Sequence, residues 1–185
     1  WRSSFRAPGG AAVTFVAIDP FDSRHVLAAT TRGLYGSLDG AQHWKPLFRG
    51  AGTGDSQTQV VVFHPVHRHE VWLGTAGGVL GSRDGGREWV KAAAPMGHRS
   101  IRDLAVDPHE PERLYVLTDQ ALLAGSREAP SWTEMFRMGS GADGNASTGE
   151  AEDDETATAD LNAAPQLTTI VVDPQRPKTL YLAST

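Results

Sequence analysis

An octapeptide that occurs twice constrains this chain more than any other feature: Ser37-Leu-Asp-Gly-Ala-Gln-His-Trp44 and Ser82-Arg-Asp-Gly-Gly-Arg-Glu-Trp89. The copies lie 45 residues apart, and the segments around them repeat as well. A period of about 40–50 residues, with each unit made of short apolar runs and turns, implies small sheets stacked one against the next.

Each unit opens on an apolar run that ends in an acid–proline or histidine–proline pair. The runs are Val13-Thr-Phe-Val-Ala-Ile18, Thr58-Gln-Val-Val-Val-Phe63, Ile101-Arg-Asp-Leu-Ala-Val106 and Leu167-Thr-Thr-Ile-Val-Val172. Such nearly continuous β-branched runs suit a strand buried on both faces, and the proline ends it because it offers no ladder N–H. Seven residues on, counted from Asp19, His64, Asp107 and Asp173, a second strand is expected at Val26, Val71, Leu114 and Leu180. A threonine closes three of these strands (Thr30, Thr75, Thr118), and a turn leads to a third strand. The octapeptide then forms the hairpin into a fourth strand, starting at Trp44, Trp89 or Trp132. The fold expected is an all-β propeller of four-stranded antiparallel blades at 13–48, 58–93 and 101–137, with a partial blade at 167–185. Residues 1–5 parallel 44–48 and read as the last strand of an earlier blade. The chain is therefore expected to be part of a six- to eight-bladed ring, with a closed four-bladed ring as the alternative.

The octapeptide follows hairpin chemistry. Asp39-Gly40 and Asp84-Gly85 suit a tight turn, because glycine accepts positive φ and aspartate bonds nearby backbone amides. Ser37 and Ser82 add a second short polar group, and Trp44 and Trp89 are expected to bury a ring against the turn. A third copy, Ser126-Arg-Glu-Ala-Pro-Ser-Trp132, lacks both the aspartate and the glycine. These residues resemble the Asp-box (BNR) repeat, Ser/Thr-x-Asp-x-Gly-x-x-Trp. Ser82, Asp84, Gly86 and Trp89 match it fully, while Ser37, Asp39 and Trp44 match with Ala41 in the glycine position. Sialidases, xyloglucan-degrading hydrolases, sortilin-type receptors and photosystem II assembly factors carry such repeats. The resemblance implies a propeller and, more loosely, an extracytoplasmic setting, secreted or periplasmic. It does not choose among activities, since a fold hosts many.

The 185 residues include no cysteine, which excludes a disulfide framework and thiolate chemistry. No apolar stretch approaches the roughly 20 residues of a membrane helix. The formal net charge of −5 is concentrated in 139–164, which holds seven acids and no lysine or arginine. This tract is poor in large apolar residues and is expected to be a disordered insert between blades, serving either as a tolerated loop or to bind a partner.

Two clusters look like chemistry. His64, His67, His69 and Glu70 have metal-ligand character. They also fill a turn that other blades fill with Asp22, Arg24, Glu110 or Glu112, so a solvated turn explains them and no metal is expected. Asp103 stands where other first strands carry Phe15, Val60 and Thr169, and Arg102 where they carry Thr14, Gln59 and Thr168. First strands line a propeller's channel, which puts Gln59, Arg102 and Asp103 at one rim. A carboxylate there could serve glycoside hydrolysis, which needs two acids; the other reading of Asp103 is an ion pair with Arg102 or across blades. No second acid occupies an equivalent position, and no arginine cluster of sialidase type or basic patch for nucleic acid appears. The function expected is a non-catalytic scaffold that binds a protein or glycan, without a cofactor. The alternative is a glycoside hydrolase with some of its machinery outside this chain.

Overall fold

A computed structural model describes residues 7–50, 56–92, 100–126, 132–137 and 166–184. Apart from one 3-10 turn at Pro8–Gly10, every regular element among the described residues is a strand. The first blade holds β1 (Val13–Asp19), β2 (Asp22–Thr30), β3 (Gly33–Ser37) and β4 (Lys45–Phe48). The second holds β5 (Thr58–Phe63), β6 (Val71–Thr75), β7 (Gly78–Ser82) and β8 (Val90–Lys91). The third holds β9 (Ile101–Val106), β10 (Arg113–Thr118), β11 (Ala121–Ser126) and β12 (Trp132–Arg137), and β13 (Leu167–Val172) pairs with β14 (Leu180–Ser184). Within each sheet the strands follow chain order, all antiparallel. First strands pack against one another from blade to blade, β1 on β5, β5 on β9 and β9 on β13, which is the radial arrangement of blades around an axis. Residues 1–5, 127–131 and the acidic tract 139–164 lie outside the described residues.

Several boundaries differ from the expected ones, β10 by one residue at Arg113. β2 begins at Asp22 instead of Val26, because Asp19 pairs with Asp22 across the reversal. β4 and β8 start one residue after Trp44 and Trp89, since each indole belongs to the preceding turn.

The core lies in the seams between blades. Leu27, Ala29 and Leu34 of the first blade meet Val61, Val71, Leu73 and Leu80 of the second. Val60, Trp72 and Val79 meet Ile101, Leu104 and Val116 at the next seam. Tyr115, Leu117 and Leu122 meet Leu167 and Ile170 at the third. Full burial stabilises each large aliphatic side chain by about 1.5–3 kcal/mol. Close approach needs a bare backbone at Gly74, where a Cβ would fall 2.7 Å from Ile101 Cγ2 and 2.8 Å from Val60 Cγ1. β1 departs from the expectation of burial on both faces. Val16 is 54% exposed where its counterparts Val61, Leu104 and Ile170 are buried, because among the described residues no sheet covers its outer side.

The octapeptides fold alike, bond for bond. Ser37 Oγ donates to Asp39 Oδ1 (2.8 Å) and accepts from Ala41 N (2.9 Å), while Asp39 Oδ1 also accepts from Gln42 N (3.0 Å) and His43 N (2.9 Å). Ser82 and Asp84 repeat this with Gly86 N, Arg87 N and Glu88 N, at 2.8–3.0 Å. The indole N–H of Trp44 donates to the Ala41 carbonyl (3.1 Å), and that of Trp89 to the Gly86 carbonyl (3.0 Å). Both rings are half-buried rather than enclosed, so each acts as a clasp over its turn. Thr30, Thr75 and Thr118 share a role at the other hairpin, where each hydroxyl donates to the carbonyl three residues on (2.7–3.1 Å).

Ala41 holds φ +68°, where the second copy has Gly86 at φ +90°. A left-handed non-glycine costs about 1–2 kcal/mol, against about 0.5–1 kcal/mol for glycine's extra chain entropy. Ala41→Gly is therefore expected to stabilise by about 0.5–1 kcal/mol in urea unfolding; a loss would refute the strain. The amide of His43 and its ring hold the Asp39 carboxyl well below the usual range, and the amide of Glu88, with Ser82, does the same for Asp84. Depressed folded pKa values add stability that is complete above the unfolded value near pH ~3.9 and is lost as pH falls below it. Thermal melts should hold steady from pH 7 to about 5 as regards these groups and drop below about 4, and Asp84→Asn should flatten that drop.

Candidate functional site at the channel rim

In an antiparallel sheet taken in chain order, the first and third reversals share one end. The backbone links them here, with Gly40 N donating to Arg24 O (2.9 Å) and Gly85 N to His69 O (2.8 Å). The opposite end, where the first strands start, is the rim. There Thr14, Gln59, Arg102 and Thr168 occupy matching strand positions and line an open concavity of about 420 Å³, together with Phe15, Asp103, Gln166 and Thr169. Gln59, Arg102 and Asp103 thus share one surface. Arg102 reaches solvent, with a long contact of 3.4 Å from Nη2 to Gln166 Oε1.

Asp103 behaves differently from its neighbours. It is 9% exposed, and its Oδ1 accepts from Leu104 N (2.8 Å). Oδ2 accepts from Thr169 Oγ1 (2.6 Å) and Ile170 N (3.0 Å), both on β13 of the next blade. The carboxylate is therefore a hydrogen-bonded staple across the third seam, not the ion pair with Arg102 that the sequence suggests. Thr58 plays the matching part at the first seam, accepting from Thr30 N (2.8 Å) and donating to the Thr30 carbonyl (2.8 Å). Nothing in the residue pattern marks Thr58 or Gln166, because their roles depend on which blade lies alongside.

At the turn end, the acid of each Asp–Pro pair is an anchor. Asp107 Oδ1 accepts from His109 N (2.8 Å) and Glu110 N (3.2 Å), and Asp173 Oδ1 from Gln175 N (2.8 Å) and Arg176 N (3.0 Å). Their second oxygens accept from Tyr115 OH (3.1 Å) and Tyr181 OH (3.4 Å). Burial pushes the Asp107 carboxyl up, but the amide and phenol donors outweigh it and leave it below its ordinary value.

His64 replaces the aspartate in the second blade. Its Nδ1 accepts from Val66 N (3.1 Å) and His67 N (2.9 Å), which makes Nε2 the protonated nitrogen, donating to Pro111 O of the third blade (2.8 Å). His67 stacks on it at 4.2 Å, with Nδ1 3.5 Å from Glu70 Oε2. Donor atoms of His64, His67 and Glu70 fall within 4.8 Å of one another, which is metal-like spacing. Both His64 nitrogens nevertheless serve the backbone, so a cation would have to break the turn. A metal held a hundredfold above its Kd adds about 2.7 kcal/mol. Zinc at about 100 μM is expected to leave the melting temperature unchanged; a rise of several degrees, abolished by His67→Ala, would overturn this reading.

No known protein family and no curated protein matches the sequence. Among solved structures, the fold is similar to the GH74 xyloglucanase from Xanthomonas campestris, with TM-score 0.67 and 17% identity over 95% of this chain and 27% of that one. It is similar to an auxiliary nutrient binding protein from Bacteroides thetaiotaomicron, with TM-score 0.62 and 10% identity over 93% of this chain and 36% of that one. YCF48 bound to D1 peptide matches with TM-score 0.54 and 12% identity, over 72% of this chain and 43% of that one. The chain spans 18%, 20% and 27% of three GH74 enzymes that it matches. Stacked antiparallel sheets with their first strands side by side, in a chain that superposes on these proteins, give it the fold of a β-propeller.

Proposed function

We propose that this propeller is a non-catalytic interaction module that presents its channel rim to a protein or glycan partner. The observation that carries the reading is the state of Asp103. Glycoside hydrolysis needs two carboxylates flanking the scissile bond, one of them able to give a proton. Among the described residues that line the rim concavity Asp103 is the single acid, and its two oxygens already accept three hydrogen bonds. The polar groups that face the concavity are the Arg102 guanidinium, the Gln59 and Gln166 amides and the hydroxyls of Thr14 and Thr168, which give their hydrogens to the Thr58 and Ala183 carbonyls and keep lone pairs to accept with. Neutral donors and acceptors around one cation suit recognition without bond cleavage. The nutrient-binding and peptide-bound proteins that share the fold are in keeping with such a role. An extracytoplasmic setting and a larger ring belong to the same proposal.

The hydrolase reading keeps one observation in its favour, the likeness to GH74 enzymes, which at 16–19% identity concerns the fold. Two substitutions separate the readings. Arg102→Ala is expected to weaken capture on oligosaccharide and peptide arrays about tenfold, with the melting temperature unchanged. Asp103→Asn is expected to cost about 1–3 kcal/mol, a drop of several degrees at about 2–4 °C per kcal/mol. Turnover of a xyloglucan oligosaccharide that vanishes in Asp103→Asn while the melting temperature holds would sink the scaffold reading.

A further inference from the structure

A second cleft, also of about 420 Å³, opens at the turn end of the seam between the first two blades, away from the rim. Its walls are the 19–25 and 64–70 turns and the two octapeptide turns. His25 is 8% exposed there, edge-on to Phe63 at a ring distance of 5.0 Å, with Nδ1 3.0 Å from Asp19 Oδ2. A carboxylate can only accept, so Nδ1 donates, and in the tautomer this selects for a neutral imidazole Nε2 carries a lone pair. No described group bonds that nitrogen. Gly85 lines the cleft beside this ring, the position of its absent Cβ lying 3.6 Å from His25 Cε1.

The acids along the walls are already committed. Asp19 serves Phe21 N as well as His25, Asp22 holds Arg24, and Asp39 and Asp84 are locked in their turns. Two of the cations that line the cleft are not. Lys45 makes no ion pair with a described acid, and Arg68 lies over the Phe21 ring at 5.0 Å, likewise without an acid partner. Leu38, 69% exposed, adds an apolar wall.

We infer that this cleft is a binding site for a small carboxylate that has an apolar body and one hydroxyl or N–H donor. Its carboxylate pairs with Lys45 and Arg68, its body lies on Phe21 and Leu38, and its donor bonds His25 Nε2. A phenolic carboxylate is the simplest such molecule, and the volume lies within the roughly 300–1,000 Å³ of small-molecule pockets. The site belongs to the first seam alone among those described, since the residues matching His25 are Glu70, Arg113 and Thr179. It does not depend on the rim reading.

The test is a titration of this chain with 4-hydroxyphenylacetate, followed by the imidazole 15N signals and by calorimetry. Saturable binding with Kd below about 1 mM and a selective His25 shift are expected. Arg68→Gln and Lys45→Gln, both at exposed positions, should each weaken binding about fivefold or more with melting temperature unchanged. Phenylacetate, which lacks the donor, should bind about tenfold more weakly. The rim variant Arg102→Ala should bind as the parent does. The inference falls if binding does not saturate by about 10 mM, if phenylacetate binds equally well, or if Arg102→Ala abolishes the signal.

Discussion

Each reversal of a four-stranded blade leaves backbone N–H groups with no ladder partner, and this fold depends on a side-chain oxygen or nitrogen meeting them. A buried or half-buried amide left unpaired costs as much as a lost hydrogen bond. Asp39 and Asp84 each take two amides of their turn, Asp107 and Asp173 do so at the other reversal, and His64 does it with an imidazole nitrogen. The chemistry varies while the lone pair stays in place. With the turns so tied, the strands lie in register and their apolar faces are ready to stack.

Stacking then forms the core. A blade has too little interior of its own, so the buried side chains sit between sheets, and polar staples set the relation of one sheet to the next. Thr58 reaches back to the backbone of the preceding blade, while Asp103 and His64 reach forward, to Ile170 and to Pro111. The rim and the seam cleft are by-products of this arrangement. One gathers the starts of successive first strands, and the other is the gap left where two sets of turns diverge.

Much of this was legible in the residue order. The repeated octapeptide, the constant step after each Asp–Pro pair and the recurring threonine all mark local geometry, which depends on neighbours in the chain. The turn chemistry was only half visible. Proline looked like the terminator, whereas the preceding aspartate anchors the turn and, in two blades, holds the tyrosine hydroxyl eight residues on. Val16 reads as core by its type and proves half exposed, because burial in a stacked fold depends on the sheet alongside.

Function was harder to read for the same reason. Asp103 reads from the sequence as a channel carboxylate or half of an ion pair, and the choice falls away once Thr169 and Ile170 of the next blade are placed beside it. His25 carried no signal at all, since the cleft that exposes its Nε2 is made by turns 40–60 residues further along. Chain order by itself determined the blade, its strands and its turns, because hydrogen bonds two to eight residues apart are encoded in the pattern. Only tertiary structure decided which polar groups remain available, because that depends on partners contributed across a seam by residues as much as 67 positions away.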